Sequence, residues 1–153
     1  MKDPDDAARA TAPVRLLRSQ GLAPGVPYAY AATTDRPGRP LLTAGACPLD
    51  GDGRVVAPGD VAAQAEQAIA NLRTTLLEAG ADLACVLRST VYVATDQRAD
   101  LTTAWDVVSR AFADQDAPST LLGVGVLGWP DQLVEVEVVA VLPDARTTAP
   151  STR

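Results

Sequence analysis

The sequence predicts an α+β fold in which two helices lie on one face of a single mixed sheet. Three observations predict it. Apolar residues Val61, Ala65, Ala68, Leu72, Leu76 and Ala79 recur at intervals of three and four, tracing one face of a helix. Leu101, Ala104, Trp105, Val108, Ala111 and Phe112 do the same for a second helix. Between 133 and 142 the pattern has period two, with Val134, Val136, Val138, Ala140 and Leu142 on a wholly apolar face.

Taken in order, residues 1–20 read as a flexible N-terminal extension, polar and broken by Pro4 and Pro13. Arg15 and Arg18 within it can reach a cleft, although spare surface charge explains them as well. Tyr28 to Ala32 and Leu41 to Gly45 read as a hairpin joined by Asp35-Arg36-Pro37-Gly38. Asp50-Gly51-Asp52-Gly53 is a turn. Asp60 is placed to cap the first helix and Gly80 to end it. Cys85 to Ala94, rich in Val, Thr and Tyr, reads as a strand. Asp100 caps the second helix, or Asp96 if the helix starts earlier, and Pro118 lies beyond its end. Leu121 to Leu127 reads as a strand with Gly123 and Gly125 on one face. These glycines leave room for a ligand or relieve crowding. Leu133 to Leu142 closes the domain, which spans 21–143, and 144–153 reads as a disordered tail.

Opposite the helices, the sheet face is mixed. It carries Glu135 and Glu137, with Arg88 and Tyr92 from the neighbouring strand, but also Val139 and Val141. A face of that kind is suited to cover by another subunit, so an oligomer with sites where subunits meet is expected.

Composition limits the chemistry. The 153 residues include no His, one Lys (Lys2) and two Cys, with a net charge of −6. Without His there is no Ser-His-Asp or Cys-His triad and no imidazole metal site. Lys2 lies in a polar terminus and is a poor Schiff-base candidate. Cys47 and Cys85 are too few for a disulfide framework and too far apart for a metal motif. The acidic balance argues against a surface that tracks phosphates. The N-terminus does not look like a signal peptide, and no apolar run reaches membrane length. A cytoplasmic protein with no cofactor and no metal is expected, acting on a small molecule and binding neither nucleic acid nor membrane.

Several segments together resemble the RidA (YjgF/YER057c/UK114) family. Asp60-Val61-Ala62-Ala63-Gln64-Ala65-Glu66-Gln67-Ala68, followed by Asn71-Leu72 and Glu78-Ala79-Gly80, is similar to its first helix. Ser89-Thr90-Val91-Tyr92-Val93 is similar to the strand that follows. Gly45-Ala46-Cys47-Pro48 resembles its Gly-x-x-Pro turn, Pro27-Tyr28 its Gly-Pro-Tyr start, and Val134-Glu135-Val136-Glu137 its closing strand. The resemblance spans roughly residues 24 to 142. It implies a chorismate-mutase-like fold and a homotrimer with clefts between subunits. It also implies hydrolysis of reactive enamines and imines to 2-keto acids and ammonia.

Carried over residue by residue, the resemblance places the water-positioning carboxylate at Glu135 and a cleft phenol at Tyr28. The family's carboxylate-clamping Arg falls on Thr120, in Pro118-Ser119-Thr120-Leu121, with its spacing to Glu135 intact. The hydroxyl-bearing position before the turn is Ala44. Ala46, Cys47, Pro48, Leu121 and Trp129 are implied or placed as substrate-lining residues. Exchanging a two-pronged Arg contact for one neutral hydroxyl costs about 2–4 kcal/mol of carboxylate binding. The expected activity is therefore Glu-assisted hydrolysis or proton transfer on an imine, enamine or related carbonyl substrate lacking that carboxylate. A dedicated bacterial biosynthetic pathway would suit it. Arg36 or Arg39 can supply a cation from another direction.

Each residue also has a plainer reading. Glu135 and Glu137 can simply pair with Arg88, and Thr120 can be a polar strand start. Tyr28 and Tyr30 can be core or interface aromatics. Cys47 has no neighbour in sequence that would activate it, and Cys85 reads as core. Trp129 either plugs a hairpin or closes over a cleft. The alternative function is a non-catalytic trimer that binds a metabolite or a protein partner. Ribonuclease activity, attached to some family members, fits the acidic, His-free composition least.

Overall fold

A computed structural model describes residues 14–113 and 115–143. The expected tail 144–153 and the first thirteen residues of the expected extension lie outside the described residues. The chain forms β1 (Arg15–Leu17), β2 (Ala31–Thr33), β3 (Gly38–Leu42), α1 (Val61–Glu78), a 3-10 turn (Leu83–Cys85), β4 (Val86–Ala94), α2 (Arg98–Phe112), β5 (Ser119–Val124) and β6 (Val134–Pro143).

The main sheet has the order β3-β6-β4-β5. β6 runs antiparallel to both neighbours, and β4 pairs with β5 in parallel, so the sheet is mixed. The parallel pair is joined through α2, as a crossover requires. Both helices cover one face. Val61, Ala65, Ala68, Ile69, Leu72 and Leu76 of α1 and Ala104, Val107, Val108 and Phe112 of α2 are buried against Val91 and Val93 of β4 and Val134, Val136, Val138 and Ala140 of β6. The alternation read along β6 is thus the division between core and outer face.

The helix boundaries follow their chemistry. The Asp60 side chain accepts from the Ala63 N–H at 3.0 Å, and Gly80 takes φ +85° just past the end of α1. For α2 the expected caps are wrong. The helix starts at Arg98 after Gln97, which makes no side-chain cap, and Asp100 sits inside the first turn. There it accepts from the Thr95 hydroxyl at 2.7 Å, while that hydroxyl accepts from the Gln97 N–H at 2.9 Å. Thr95 takes over the capping work, and the Asp100 charge favours the helix N-terminus from within.

The expected hairpin does not form either. β2 pairs with β1, and β3 pairs with β6, Leu41 opposite Ala140. Asp35-Arg36-Pro37-Gly38 is a genuine bend, with the Thr34 hydroxyl accepting from the Arg36 N–H, but it links two different sheets. Residues 15–17, within the expected extension, are therefore paired strand. This small sheet is fixed at the β5 end by Ala29 N–H donating to the Asp116 carbonyl at 2.7 Å and by an ion pair of Arg18 with Asp116. Among the described residues, no helix is long and apolar enough to cross a membrane.

Candidate functional site

The site is built by two loops that α1 holds in place. The first is the turn Gly45–Asp50. Ala46 makes a backbone bridge with Val136 on β6, its N–H donating to the Val136 carbonyl at 2.8 Å. Asn71 of α1 donates its amide to the carbonyls of Cys47 at 2.8 Å and Leu49 at 2.9 Å, and Gln67 adds a 3.3 Å contact to Leu49. The second loop runs from Trp129 to Leu133 into β6. Gln64, fully buried on α1, donates to the Asp131 carbonyl at 2.9 Å and accepts from the Leu133 N–H at 2.7 Å. That pair of contacts holds Asp131 at φ +61°, in the left-handed region that Asp tolerates better than most residues. Gln64, Gln67 and Asn71 follow a spacing of three and four, a polar ridge beside the apolar face of α1.

Between the loops stands Glu135, half-buried on the outer face of β6. Its Oε2 accepts from the Gln132 amide at 2.9 Å and from the Cys47 thiol at 3.6 Å. Its Oε1 lies against Gly45 so closely that a Cβ there would sit 1.8 Å away. The Cys47 thiol is pushed above its ordinary value, first by burial and then by the charge and hydrogen bond of Glu135. Hydrogen bonds from the Gln132 and Trp129 side chains pull it the other way. Cys47 is therefore a protonated donor to the carboxylate at neutral pH rather than a nucleophile in waiting.

The other expected site residues divide. Trp129, about half exposed, stands at this cluster, its backbone N–H donating to the Gln132 side-chain amide oxygen Oε1 at 3.0 Å. Ala46 packs against the core, Pro48 is fully buried, and Leu121, opposite Val91, faces the helices. Within one chain, the side chains of these three do not line the outer face. Gly123 likewise belongs to the inner side, where a Cβ would meet the Thr95 carbonyl at 3.0 Å, so close backbone approach explains it.

Thr120 does lie on the outer face, but opposite Thr90, which faces Glu137 across the next strand. Two strand spacings put it about 10 Å from β6, and one row away from Glu135. Tyr28 packs edge-on against Tyr30, and its carbonyl accepts from Arg18 at the opposite, β5 end. Within one chain, the described contacts join neither to Glu135.

The expected Arg88 pairings are also replaced. Glu137 accepts from the Tyr92 hydroxyl at 2.9 Å, which raises the phenol's pKa above its ordinary value. Arg88 is exposed. Cys85 is buried as expected. Sequence reasoning missed Gln132. A Gln between Asp and Leu in a loop has no motif to mark it; the available signal was its position three residues before Glu135.

A family model described as Endoribonuclease L-PSP matches residues 19–142. A Yersinia pestis protein of unknown function from the Rid family, YyfB, is 31% identical, with a TM-score of 0.78 over 85% of this chain and 99% of that one. The chain belongs to the Rid (YjgF/YER057c/UK114) family. Another Rid-fold relative, a YjgF/YER057c/UK114 member from Mycobacterium tuberculosis, is 28% identical with a TM-score of 0.57, over 84% of this chain and 98% of that one. Protein DfrA of Myxococcus xanthus is 34% identical over 116 residues, which is 75% of this chain and 85% of that protein. Rid membership supports a role in binding or processing a small molecule. It also accounts for the α+β architecture with two helices on a mixed sheet.

Proposed function

We propose that this Rid protein is a homotrimeric enzyme that hydrolyses or isomerises an imine, enamine or related carbonyl compound lacking the carboxylate that an Arg at position 120 would bind. Glu135 is the group that handles the proton. The observation that supports this most is the setting of Glu135: a half-buried carboxylate on the open sheet face, held between two loops by Gln132, Cys47 and Gly45. In hydrolysis, water oxygen adds to the imine carbon while Glu135 accepts its proton. With the imine nitrogen protonated at the start, Glu135 then returns that proton to the nitrogen of the adduct, and as the C–N bond breaks the hydroxyl proton passes to the departing amine, leaving a carbonyl and ammonium or an alkylammonium ion.

The rest of the cleft comes from a second subunit in this reading. The outer sheet face exposes Leu42, Leu122 and Val139 beside its carboxylates, an apolar area suited to a partner copy. Tyr28 and Thr120 of one copy can then approach Glu135 of another, which they do not do within a chain. Thr120 offers a single hydroxyl to a neutral polar group of the substrate.

The family's ribonuclease label fits poorly here. A chain of net charge −6 with Glu135 and Glu137 at the candidate site repels a phosphodiester backbone.

The test is incubation with imines generated from a panel of amines and amino acids, following carbonyl and ammonia release. Turnover should favour substrates without an α-carboxylate, and Glu135→Gln should lower kcat by about 10²–10⁴. A Glu135→Gln variant with full turnover would refute the mechanism. Saturable ligand binding without any product would replace it with a binding role.

A further inference from the structure

We propose that Gln132 is a positioning residue that, with Cys47, anchors one oxygen of Glu135 and leaves the other as the working oxygen of the site. This rests on the reading of Glu135 given above and deepens it, by giving the two carboxylate oxygens different roles and Gln132 the task of keeping them apart.

The Gln132 side chain is only 4% exposed, and its amide has a partner for each end. Its Oε1 accepts from the Trp129 N–H at 3.0 Å. A backbone N–H can only donate, so this contact fixes which end of the amide is oxygen. The Nε2 then faces two acceptors, the Val134 carbonyl at 3.2 Å and Glu135 Oε2 at 2.9 Å. The Cys47 thiol approaches the same Oε2. Both donors thus converge on one oxygen. Oε1 rests instead against the bare α-carbon of Gly45, and among the described residues the hydrogen bonds to this carboxylate go to Oε2.

The anchor is itself braced. Gln64 takes the Asp131 carbonyl and the Leu133 N–H, the groups on either side of Gln132. Helix α1 therefore reaches Glu135 through two buried amides in series. A carboxylate used in proton transfer gains most when its geometry is set before substrate arrives. A long Glu side chain on an open strand lacks that order on its own, and Gln132 supplies it.

The Cys47 thiol provides a readout that needs no substrate. The experiment measures the pH midpoint of iodoacetamide alkylation on the full chain, with peptide mass analysis separating Cys47 from buried Cys85. Gln132 can influence this thiol in two ways, and they have opposite signs. Acting directly, its amide stabilises the thiolate, so Gln132→Ala would raise the midpoint. Acting through Glu135, it holds a negative charge beside the sulfur, so Gln132→Ala frees the carboxylate and lowers the midpoint.

We expect the midpoint to fall in Gln132→Ala, to fall likewise in Glu135→Gln, and to fall no further in the double variant. Each unit of fall multiplies the thiolate fraction at pH 8 about tenfold. A rise, or no change, overturns the proposal. Gln132→Met keeps the volume of the side chain and serves if circular dichroism shows the Ala variant unfolded. A protein that turns over no imine yet shows the fall would lose the catalytic reading and keep the anchoring. One whose turnover needs Glu135 while the Gln132→Ala midpoint stays put would do the reverse.

Discussion

Replacing Gly45 by Ala should uncouple Glu135 from its anchors, and the size of the effect follows from the geometry. Gly45 has no positive φ, so Ala is acceptable to the backbone there and, by restricting the unfolded chain, would ordinarily add about 0.4–1 kcal/mol of stability. The new methyl carbon would sit 1.8 Å from Glu135 Oε1 and 2.4 Å from its carboxyl carbon. Contact distance for such atoms is well above 3 Å, so the side chain must swing by more than an ångström. It then gives up the 2.9 Å hydrogen bond from Gln132 and the weaker one from Cys47. A hydrogen bond to a charged group contributes about 1.5–3 kcal/mol. The net cost of Gly45→Ala should therefore be about 1–2 kcal/mol. In a Glu135→Ala background the obstruction is gone, and the same substitution should be neutral or stabilising. The resulting coupling of about 2 kcal/mol can be read from a double-mutant cycle in urea, with protomer concentration held fixed. An equal cost in both backgrounds would refute the claim that Gly45 is there to seat the carboxylate.

Other outcomes test the scaffold. Leu72→Ala removes a fully buried side chain from the centre of α1 and should cost about 3–4 kcal/mol in chemical denaturation. Asp60→Ala removes the acceptor for the Ala63 N–H and should cost about 1 kcal/mol in the same assay. Folding raises the pKa of the Cys47 thiol, so the folded state holds its proton more tightly than the unfolded chain. That contribution is complete below the ordinary thiol value of 9.0 and is lost as pH rises through the raised value. Melting temperature should therefore fall on the alkaline side, and Cys47→Ala should fall less steeply. Equal slopes would show that the thiol is not held in the protonated form.

Periodicity located the helices and β6 because burial imposes it: each apolar interval records a face that must leave water. Pairing left no such record. β2 and β3 lie close in sequence with a good turn between them, yet each finds its partner elsewhere, β2 with β1 and β3 with β6. Turn chemistry specifies that the chain bends, and says nothing about which strand edge is vacant. The caps of α2 show the same limit. Asp100 is a favourable residue for a helix start, but the hydroxyl of Thr95 reaches the first free N–H and Asp100 serves one step removed.

The candidate site divides along a similar line. Glu135 and Cys47 were legible because the spacing around them follows the Rid pattern, and Trp129 because a large aromatic in an exposed loop invites a role. Gln132 was not legible, since its importance comes from contacts made by Trp129, Val134 and Glu135 together. The residues read from the pattern as one site do not meet in a single chain: Thr120 shares the outer face with Glu135 but lies two strands and one row away, and Tyr28 lies at the β5 end. The proposed mechanism requires them to meet across an interface, so it predicts that assembly is a condition of the proposed activity. A monomeric variant, made by placing Asp at exposed Leu42 and Val139, should keep the fold and the Cys47–Glu135 coupling while losing turnover. Gel filtration, alkylation and the imine assay on that one variant would separate the parts of the site held by the chain from those supplied by its neighbour. Full turnover by a monomer would place the whole active site within one subunit.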